Sequence, residues 1–336
     1  MLELYRGKRE DLLAKIAVEL ERALEHRALT GVPGRAAERK IARGDGWTVS
    51  DVICTCTAYD RPFEERHKGF SIVLVTAGSF QYQASLGRSR NRPGAGRELM
   101  SPGSLLLGNP GQCYECGHDH GAGDRCLSFW YAPEYFERLA ADAGATGNLR
   151  FSTVRLPPLP EFSPLVAQAC AGVTKQTLGL EAMAVPWAEL SVRLAGVTMH
   201  LLGKHGSSHV QNPPPSTLAR ITRAVRMVEQ HSTAELNLEA LAKAAGLSPY
   251  HFLRIFEQLT GLTPHQYVRR VRLRQAAERL ASEPRKILDI ALDCGFGDVS
   301  NFNRAFRTEF GVNPARFRDQ VGARLTTTEL TREMSR

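Results

Sequence analysis

The sequence predicts an α+β protein, in which a β-rich N-terminal region with flanking helices precedes an all-α C-terminal region. Three observations predict this architecture. Short strand-like runs separated by Gly and Pro turns occupy residues 47–131, helical apolar spacing occurs on both sides of them, and the last third of the chain repeats itself after 49–50 residues. Short strands at close spacing are typical of a small β-barrel or sandwich, and a barrel is expected here.

The 336 residues are enough for two domains. The predicted segments are an N-terminal helical segment (1–46), a β-barrel domain with dimerisation helices (47–202), a linker (203–217), a helical domain (218–322) and a flexible tail (323–336). The linker is predicted because GKHGSSHVQNPPPST is rich in Gly, Ser and Pro and has no apolar period. Within the first segment, the basic residues 30–45 are expected to form a loop or a poor helix.

The positive charge of the chain is concentrated near its C-terminus. From Leu218 onward there are 19 Lys and Arg residues against 13 Asp and Glu residues, so +6 of the net charge of +8 lies there. This asymmetry predicts a polyanionic partner for that region, with plain solubility as the alternative. No apolar run approaches the ~20 residues of a membrane span, and the charged start MLELYRGKREDLLAK does not resemble a secretory signal, which predicts a cytoplasmic protein without a membrane partner.

The last third of the chain contains one helical pattern twice. The matching positions are Leu238, Leu241, Ala242, Ala245, Gly246, Ser248, Phe252, Arg254, Phe256, Gly261 and Pro264 in the first copy, and Ile287, Ile290, Ala291, Cys294, Gly295, Asp298, Phe302, Arg304, Phe306, Gly311 and Pro314 in the second. Apolar residues at i, i+3, i+4 and i+7 followed by Gly predict a helix, a tight turn and a second helix, which is a helix-turn-helix unit. Ser248 and Asp298 are predicted N-caps, and Thr263-Pro264 and Asn313-Pro314 are predicted to open the helices that follow.

A long basic helix is predicted between the two copies, over residues 263–282. Its arginines are Arg269, Arg270, Arg272, Arg274 and Arg279, and Glu278 is its only acidic residue. Arg270 and Arg274 share one face because they are four residues apart. We expect DNA phosphates to bind this face, since a helix face that is merely solvated usually mixes the two signs of charge.

These residues resemble the AraC/XylS family of bacterial transcription regulators. The resemblance covers about 218–320 and rests on LEALAKAAGLSPYHFLRIFEQLTGLTPHQYVRRVRL and ILDIALDCGFGDVSNFNRAFRTEFGVNPARFR. It implies a sequence-specific DNA-binding regulator rather than an enzyme, with the second helix of each unit in the major groove of double-stranded promoter DNA. The base-contacting residues implied by position are Tyr250, His251, Leu253, Arg254, Ser300, Asn301, Asn303 and Arg304. The expected phosphate-contacting residues are Arg270, Arg274, Lys286 and Arg307.

The types of these residues suggest what each could read. Arg254 and Arg304 suit guanine and Asn303 suits adenine, whereas Leu253 departs from a polar contact and suits a thymine methyl group. His251 and Asn301 are explained equally well as exposed turn residues.

The strands after residue 47 resemble the cupin-type effector-binding domain that many such regulators carry. This resemblance implies a cupin-like β-barrel that binds a small effector, with the helices after it forming a homodimer interface. RNA polymerase is a further partner expected of such a regulator.

Residues 108–126, GNPGQCYECGHDHGAGDRC, contain a dense group of potential metal ligands. The candidate metal or redox residues are Cys113, Cys116, His118, His120 and Cys126. Thiolates and imidazoles suit zinc or another thiophilic metal, and Asp119 and Asp124 are expected to orient the histidines. The alternatives are a thiol-redox group, a Gly-rich loop whose cysteines pack locally, and an organic effector bound elsewhere in the barrel.

The remaining cysteines and His67 also leave alternatives open. Cys54 and Cys56 share one strand face; they could join the cluster, although we favour a role in filling the barrel. His67 is either a further ligand or a polar residue at a strand edge. Cys170 and Cys294 are predicted to be core residues.

A second function also remains open at the sequence level. His118, His120 and Asp124 partly match the ligand pattern of a metal cupin, which would make the protein a metal-dependent cupin enzyme with an appended helical domain. No nucleophile with an adjacent base accompanies them. A DNA-repair methyl acceptor among the cysteines finds no specific support in their spacing.

Overall fold

The fold is described from a computed structural model, which covers residues 15–84, 97–118, 121–142, 149–177, 185–204, 214–234 and 236–320. Strands and helices make up the chain as far as residue 204, and from residue 215 the described elements are all helical. The mixed α and β class and the helical C-terminal region are therefore confirmed. Within the described ranges no helix is both long enough and apolar enough to cross a membrane.

The first helix, α1, spans Lys15–Thr30. The strands are β1 (Ala36–Gly44), β2 (Trp47–Thr57), β3 (Phe63–Arg66), β4 (Phe70–Gly78), β5 (Phe80–Ala84), β6 (Glu98–Met100), β7 (Leu105–Gly108), β8 (Cys113–Gly117), β9 (Ala122–Tyr131) and β10 (Arg155–Leu156). The other helices are α2 (Pro133–Asp142), α3 (Ser163–Thr177), α4 (Trp187–Lys204), α5 (Pro215–Gln230), α6 (Leu238–Ala245), α7 (Pro249–Thr260), α8 (Pro264–Ser282), α9 (Ile287–Asp293) and α10 (Val299–Phe310). A 3₁₀ turn at Pro160–Phe162 precedes α3, and residues 314–320 are helical.

The strands form two open antiparallel sheets. The larger sheet has the strand order β1-β2-β9-β4-β7-β10 and the smaller has the order β3-β8-β5-β6. The edges of the larger sheet are β1 and β10, and neither pairs with a strand of the smaller sheet, so the described strands do not close into the expected barrel. One apolar core joins the larger sheet to the helices, with Ile72 and Phe129 packed in the same cluster as Phe136 of α2 and Leu194 of α4.

Residues 36–44 form an edge strand where the sequence predicted a loop or a poor helix. Strand β1 pairs with β2 from Ala36 opposite Cys54 to Gly44 opposite Trp47. Most of its side chains are exposed, so no buried apolar alternation marks it in the sequence. Charged residues are common on edge strands, where they discourage further strand pairing.

Two apolar clusters hold the helical region together, one for each helix-turn-helix unit. The first cluster includes Phe252, and the second includes Phe302. Helix α8 contributes Val271 to the first cluster and Leu273 to the second, so this helix connects the two units through both cores. Cys294 is fully buried in the second cluster, and the prediction that it is a core residue is confirmed.

The helical region packs directly against the strand-containing region. Leu99 of β6 belongs to the core of the first unit, and Ala167 of α3 belongs to the core of the second. Arg155 of β10 also donates a hydrogen bond to the carbonyl of Thr260, at 3.0 Å. Residues 205–213 of the predicted linker and the predicted tail lie outside the described residues.

Candidate functional site

Helices α6 and α7 form the first helix-turn-helix unit. Asn237 caps α6 by accepting a hydrogen bond from the amide of Ala240, at 2.8 Å. Gly246 ends α6 with φ 64°, a left-handed conformation that glycine adopts without strain. Phe252 and Phe256 are fully buried, so the opposite side of α7 faces solvent.

Helices α9 and α10 form the second unit on the same plan. Cys294 ends α9, and the next residue, Gly295, which matches Gly246 in the repeat, takes the positive φ, 83°. The carboxylate of Asp298 accepts a hydrogen bond from the amide of Asn301 at 2.6 Å, which caps α10. Phe302 and Phe306 are fully buried, so α10 also has one free outer side.

Three of the four helix starts that the sequence predicts in this region carry a side-chain cap. Asp298 is an N-cap as predicted, Thr263 forms a capping box at α8, and Asn313 accepts a hydrogen bond from the amide of Arg316 at 2.8 Å. The prediction that the Ser248 side chain forms an N-cap hydrogen bond is wrong. Its backbone is extended at the N-cap position, but its exposed side chain accepts no cap hydrogen bond.

The outer side of α7 carries the four residues that the resemblance assigned to base contacts. Tyr250 is 79% exposed, His251 and Arg254 are exposed, and Leu253 is half-buried. Residues 250–254 span the first turns of the helix, which is the part of a recognition helix that meets base edges.

The outer side of α10 carries the corresponding four residues. Ser300, Asn301, Asn303 and Arg304 are all exposed. A guanidinium nitrogen of Arg304 lies 3.4 Å from the amide oxygen of Asn301, so these two side chains are neighbours on the surface. Both helices therefore present short arrays of donors and acceptors to solvent, displaced from each other along α8.

The two α8 arginines expected to bind phosphate are engaged inside the protein. Arg270 forms an ion pair with Glu309 at 3.2 Å and donates a hydrogen bond to the carbonyl of Pro158. Arg274 forms an ion pair with Glu229 at 2.8 Å. Both side chains are largely buried, at 16% and 14% exposure, so in this arrangement neither is available to DNA. The sequence could not distinguish them from free cations because Glu229 and Glu309 lie on other helices.

The remaining basic residues of this region divide into structural and free groups. Arg272 donates to backbone carbonyls of Ser232, Ala234 and Gly295, and Arg279 pairs with Glu283 and Asp293. Arg269 of α8 is exposed. Lys286 at the start of α9 and Arg307 near the end of α10 are also exposed, as a phosphate contact requires.

A second candidate site lies in the N-terminal region, where strands β2 and β9 meet the end of β8. Ligand atoms of Cys54, His118 and Asp124 all lie within 4.8 Å of one another, and all three residues are buried. The Nε2 atom of His118 is 2.7 Å from a carboxylate oxygen of Asp124, and the thiol of Cys126 is 3.2 Å from the other carboxylate oxygen. Burial raises the pKa of the Cys54 and Cys126 thiols, and the Asp124 carboxylate raises it further.

This cluster differs in membership from the one that the sequence suggested. Cys54 is part of it, although a role in filling the barrel was favoured, because Cys54 lies directly opposite Asp124 in the β2–β9 ladder. Cys116 is buried nearby, and the Asp124 carboxylate contributes to raising the pKa of its thiol. Cys113 is half-buried and does not belong to the close group. His120 and Asp119 lie outside the described residues.

His67 is a polar residue of the sheet rather than a member of the cluster. Its Nε2 atom is 2.9 Å from the hydroxyl of Tyr82, and its ring stacks on Tyr114 with centroids 4.3 Å apart. Burial lowers the pKa of His67 to about 4, which keeps its ring neutral. Cys170 is fully buried in the apolar core, and the prediction that it is a core residue is confirmed.

Known proteins match the C-terminal part of this chain. A helix-turn-helix domain model matches residues 241–320. The regulatory protein SoxS of Salmonella typhimurium is 34% identical over 101 residues, which are 30% of this chain and 94% of that protein. The HTH-type transcriptional activator RhaS of Enterobacter sp. is 36% identical over 107 residues, 32% of this chain but only 38% of RhaS. A solved structure of the DNA-binding domain of AdpA with a target DNA is 30% identical, with a TM-score of 0.31, and covers 31% of this chain and 95% of that domain.

The family-model match falls on the two units described above. The SoxS match extends over nearly the whole length of that regulator at more than 30% identity, whereas only about two fifths of RhaS is matched. The chain therefore belongs to the AraC family of helix-turn-helix transcription regulators, and residues 241–320 lie in its AraC-type DNA-binding domain.

Proposed function

We propose that this protein regulates transcription by binding promoter DNA through both helix-turn-helix units, with α7 and α10 in successive major grooves. The observation that supports this most is the pair of exposed faces on α7 and α10, both anchored to α8 through buried phenylalanines. Successive major grooves on one side of B-DNA are about 34 Å apart. Two recognition helices held by one connecting helix can therefore read one longer sequence without needing a second chain.

The base-reading residues in this proposal are those on the two outer faces. Arg254 and Arg304 would each donate two hydrogen bonds to a guanine, and Asn303 would pair with an adenine. Leu253 would pack against a thymine methyl group, while Tyr250, His251, Ser300 and Asn301 complete the two surfaces. Lys286 and Arg307 would hold phosphates, and Arg270 and Arg274 are left out because ion pairs occupy them.

The experiment starts from a binding sequence selected by the full-length protein from random double-stranded oligonucleotides. Replacing Arg254 and Arg304 together by Ala should weaken binding to the selected sequence by about 30-fold or more, at about 1–3 kcal/mol for each base contact, while binding to unrelated DNA changes little. Arg138→Ala is the matched control, because Arg138 is an exposed arginine of α2, outside both helix-turn-helix units and outside the proposed dimer helix. Unchanged affinity of the double variant for the selected sequence would contradict the assignment.

The phosphate contacts are tested by the salt dependence of the same binding reaction. Each neutralised phosphate contributes a slope of about −0.9 to a plot of log K against log salt concentration. Replacing Lys286 or Arg307 by Ala should therefore make the slope shallower by about one unit per residue while sequence preference is kept. A slope that stays the same in both variants would remove these residues from the interface.

The N-terminal region is proposed to sense an effector and to pass its state to the DNA-binding helices. A cavity of about 600 Å³ lies between α1 and β4 on one side and α5 and α8 on the other, which leaves room for a small effector where the two regions meet. An effector that binds one arrangement more tightly than another would then change DNA affinity. Activation is proposed because RhaS is named an activator, and contact with RNA polymerase would be its means.

A homodimer through α4 completes the proposal; α3 is left out because its described side chains pack against the larger sheet and the second helix-turn-helix unit. Val192 of α4 is 41% exposed, which leaves an apolar side chain on the outer face of that helix. Sedimentation at micromolar concentration should give a dimer, and a species that remains monomeric would count against this part of the proposal alone.

A further inference from the structure

We propose that Cys54, His118, Asp124 and Cys126 form a binding site for a thiophilic divalent cation of the Zn²⁺ type, and that the DNA-binding domain detects its occupancy through Arg226. The metal site stands on its own geometry. The second half, detection through Arg226, rests on the proposed function of the helical domain.

The donor set is the type that such a cation prefers. Two thiol sulfurs, one imidazole nitrogen and one carboxylate oxygen give four ligands, the number found in tetrahedral zinc sites. With Zn–S and Zn–N bonds of 2.0–2.3 Å, neighbouring ligand atoms of a tetrahedron lie roughly 3.6 Å apart. The ligand atoms of Cys54, His118 and Asp124 are already within 4.8 Å of one another. The Cys126 sulfur is 3.2 Å from Asp124 but lies outside that close group, so its side chain has to rotate toward the other ligands when a cation binds.

The backbone brings these residues together from distant parts of the sequence. Cys54 of β2 is directly opposite Asp124 of β9, and Cys126 lies two residues further along the same face of β9. Gly78 permits this arrangement, because a Cβ atom there would lie 2.3 Å from the carbonyl oxygen of Gly123. A rigid sheet therefore fixes three of the ligands before any cation binds.

The cluster also contains a buried carboxylate whose described partners are His118 and the Cys126 thiol. Asp124 is 6% exposed, and within the described part of the chain its ion-pair partner is His118, with no Lys or Arg in reach. Burial of a carboxylate is costly unless a positive charge or several donors compensate it. A bound cation supplies that charge, and each thiol then releases its proton to solvent as it becomes a thiolate ligand.

The site lies next to a contact with the DNA-binding domain. Arg226 of α5 donates a hydrogen bond to the carbonyl of Ala122, two residues before Asp124, at 3.0 Å. The amide of Gly121 is 3.2 Å from the carbonyl of His118, and a Cβ atom on Gly121 would lie 2.1 Å from Arg226. Because α5 packs on α6 of the first helix-turn-helix unit, a shift of Asp124 and Ala122 along β9 on metal binding reaches that unit through Arg226.

Few contacts hold the guanidinium of Arg226 in its position. No carboxylate forms an ion pair with it among the described residues, its Nε atom is buried without a hydrogen-bond partner, and burial lowers the pKa of its guanidinium. The Ala122 carbonyl is therefore one of very few contacts holding this cation, and the contact is sensitive to the position of the turn.

The first test measures metal on the full-length protein purified under reducing conditions and loaded with Zn²⁺ or Co²⁺. We expect about one ion per chain, and the Co²⁺ form should show sulfur-to-cobalt charge-transfer absorption. Cys54→Ser and Cys126→Ser should each lose the ion. Cys113→Ser should keep it, since Cys113 lies at the opposite end of β8 from His118 and pairs there with Arg66 of β3. The site would be overturned if Cys113→Ser lost the ion to the same extent as the other two variants. It would also be overturned if the wild-type protein showed no charge-transfer absorption or contained a disulfide in place of a metal. The wild-type spectrum decides the matter even if a cysteine variant fails to fold.

The second test compares the DNA affinity of metal-loaded and chelator-treated wild-type protein on the selected sequence. We expect a difference of 5-fold or more, in the range typical of allosteric coupling. Arg226→Gln should bind the same amount of metal and lose that difference. Equal affinity of the two wild-type forms would overturn the regulatory half while the metal site stands. Absence of DNA binding in both forms would instead indicate failure of the proposed function.

Discussion

In the first helix-turn-helix unit, α7 turns an aromatic ring, an imidazole and a half-buried leucine outward together with Arg254. In the second unit, α10 turns outward a hydroxyl and two amides together with Arg304. The inner faces of both helices are the same, with two fully buried phenylalanines each. The repeat therefore preserves the scaffold of the unit, whereas the surface that would read DNA differs between its two copies.

The two units are also fastened differently to the N-terminal region. Glu309 of the second unit accepts a hydrogen bond from Ser163 and pairs with Arg270 at 3.2 Å, so a charge-assisted network holds that unit.

The first unit is held through Leu99 of β6, which lies in its apolar core, and through the hydrogen bond from Arg155 to the carbonyl of Thr260. Beside that unit, Arg226 of α5 donates to the carbonyl of Ala122 in β9. A buried carboxylate therefore takes part in the attachment of the second unit, whereas these polar contacts of the first unit end on backbone carbonyls.

The largest expected effect tests the shared scaffold. Phe252→Ala and Phe302→Ala should each lower the free energy of unfolding by about 3–5 kcal/mol, because each removes a fully buried aromatic side chain from its cluster. Urea denaturation of the full-length variants measures this, with Phe252→Leu and Phe302→Leu as smaller changes at the same sites. If one Phe→Ala variant lost less than half as much free energy of unfolding as the other, the two cores would not be equivalent.

The next effect concerns the junction beside the first unit and depends on pH. Burial raises the pKa of Glu278 on α8 to about 7, with Glu229 adding to the shift and Arg274 and Arg125 opposing it. A carboxyl whose pKa is higher in the folded protein than in the unfolded chain stabilises the fold at low pH, and that stability is lost as the pH rises from about 4.5 to about 7. The difference is at most about 3 kcal/mol and is reduced by partial exposure of the carboxyl.

Glu278→Gln isolates this contribution. The stability of the variant should fall less than that of the wild-type protein as the pH rises through this range. Subtracting the two denaturation profiles removes the opposite trend of His67, whose pKa of about 4 makes the fold lose stability as the pH falls. Parallel profiles for the two proteins would show that Glu278 keeps an ordinary pKa.

A further prediction compares the two readout surfaces. Asn303→Ala should weaken binding to the selected sequence by about 1–3 kcal/mol and relax the preference for adenine at one position, because a bidentate contact is lost. Leu253→Ala should cost less than about 1 kcal/mol, because it removes only apolar contact with a methyl group. Fluorescence anisotropy with single-base variants of the DNA measures the specificity of each protein variant. If Asn303→Ala and Leu253→Ala lost the same amount of specificity, the two units would not differ in how they read DNA.

The sequence was sufficient for features that a local pattern encodes. The spacing of Leu238 to Pro264, repeated from Ile287 to Pro314, predicted both units and the connecting helix, because helical period and cap residues are local properties. Strand β1 was missed because its exposed side chains carry no alternation. The two-sheet arrangement was missed because strand rhythm does not specify which strands close on each other.

Features that depend on partners far along the chain could not be predicted. Arg270 and Arg274 form ion pairs with Glu309 and Glu229, respectively. The four-residue spacing of the two arginines on α8 does not predict either partner. Cys54 belongs with Asp124 only through the β2–β9 register. The sequence showed which residue types were available, and the fold determined which of them meet.

The smallest expected effect distinguishes the units at a single cap. Asp298→Ala should lower the free energy of unfolding by about 1 kcal/mol, since the Asp298 carboxylate accepts the Asn301 amide at 2.6 Å and also lies at the positive end of the α10 dipole. Ser248→Ala should change it by only a few tenths of a kcal/mol, because the Ser248 side chain makes no cap hydrogen bond. Denaturation at pH 7 and low salt measures both, and Asp298→Asn keeps the cap while removing the charge. If Ser248→Ala cost as much as Asp298→Ala, the hydroxyl would have to cap α7 in solution, and the two recognition helices would begin in the same way.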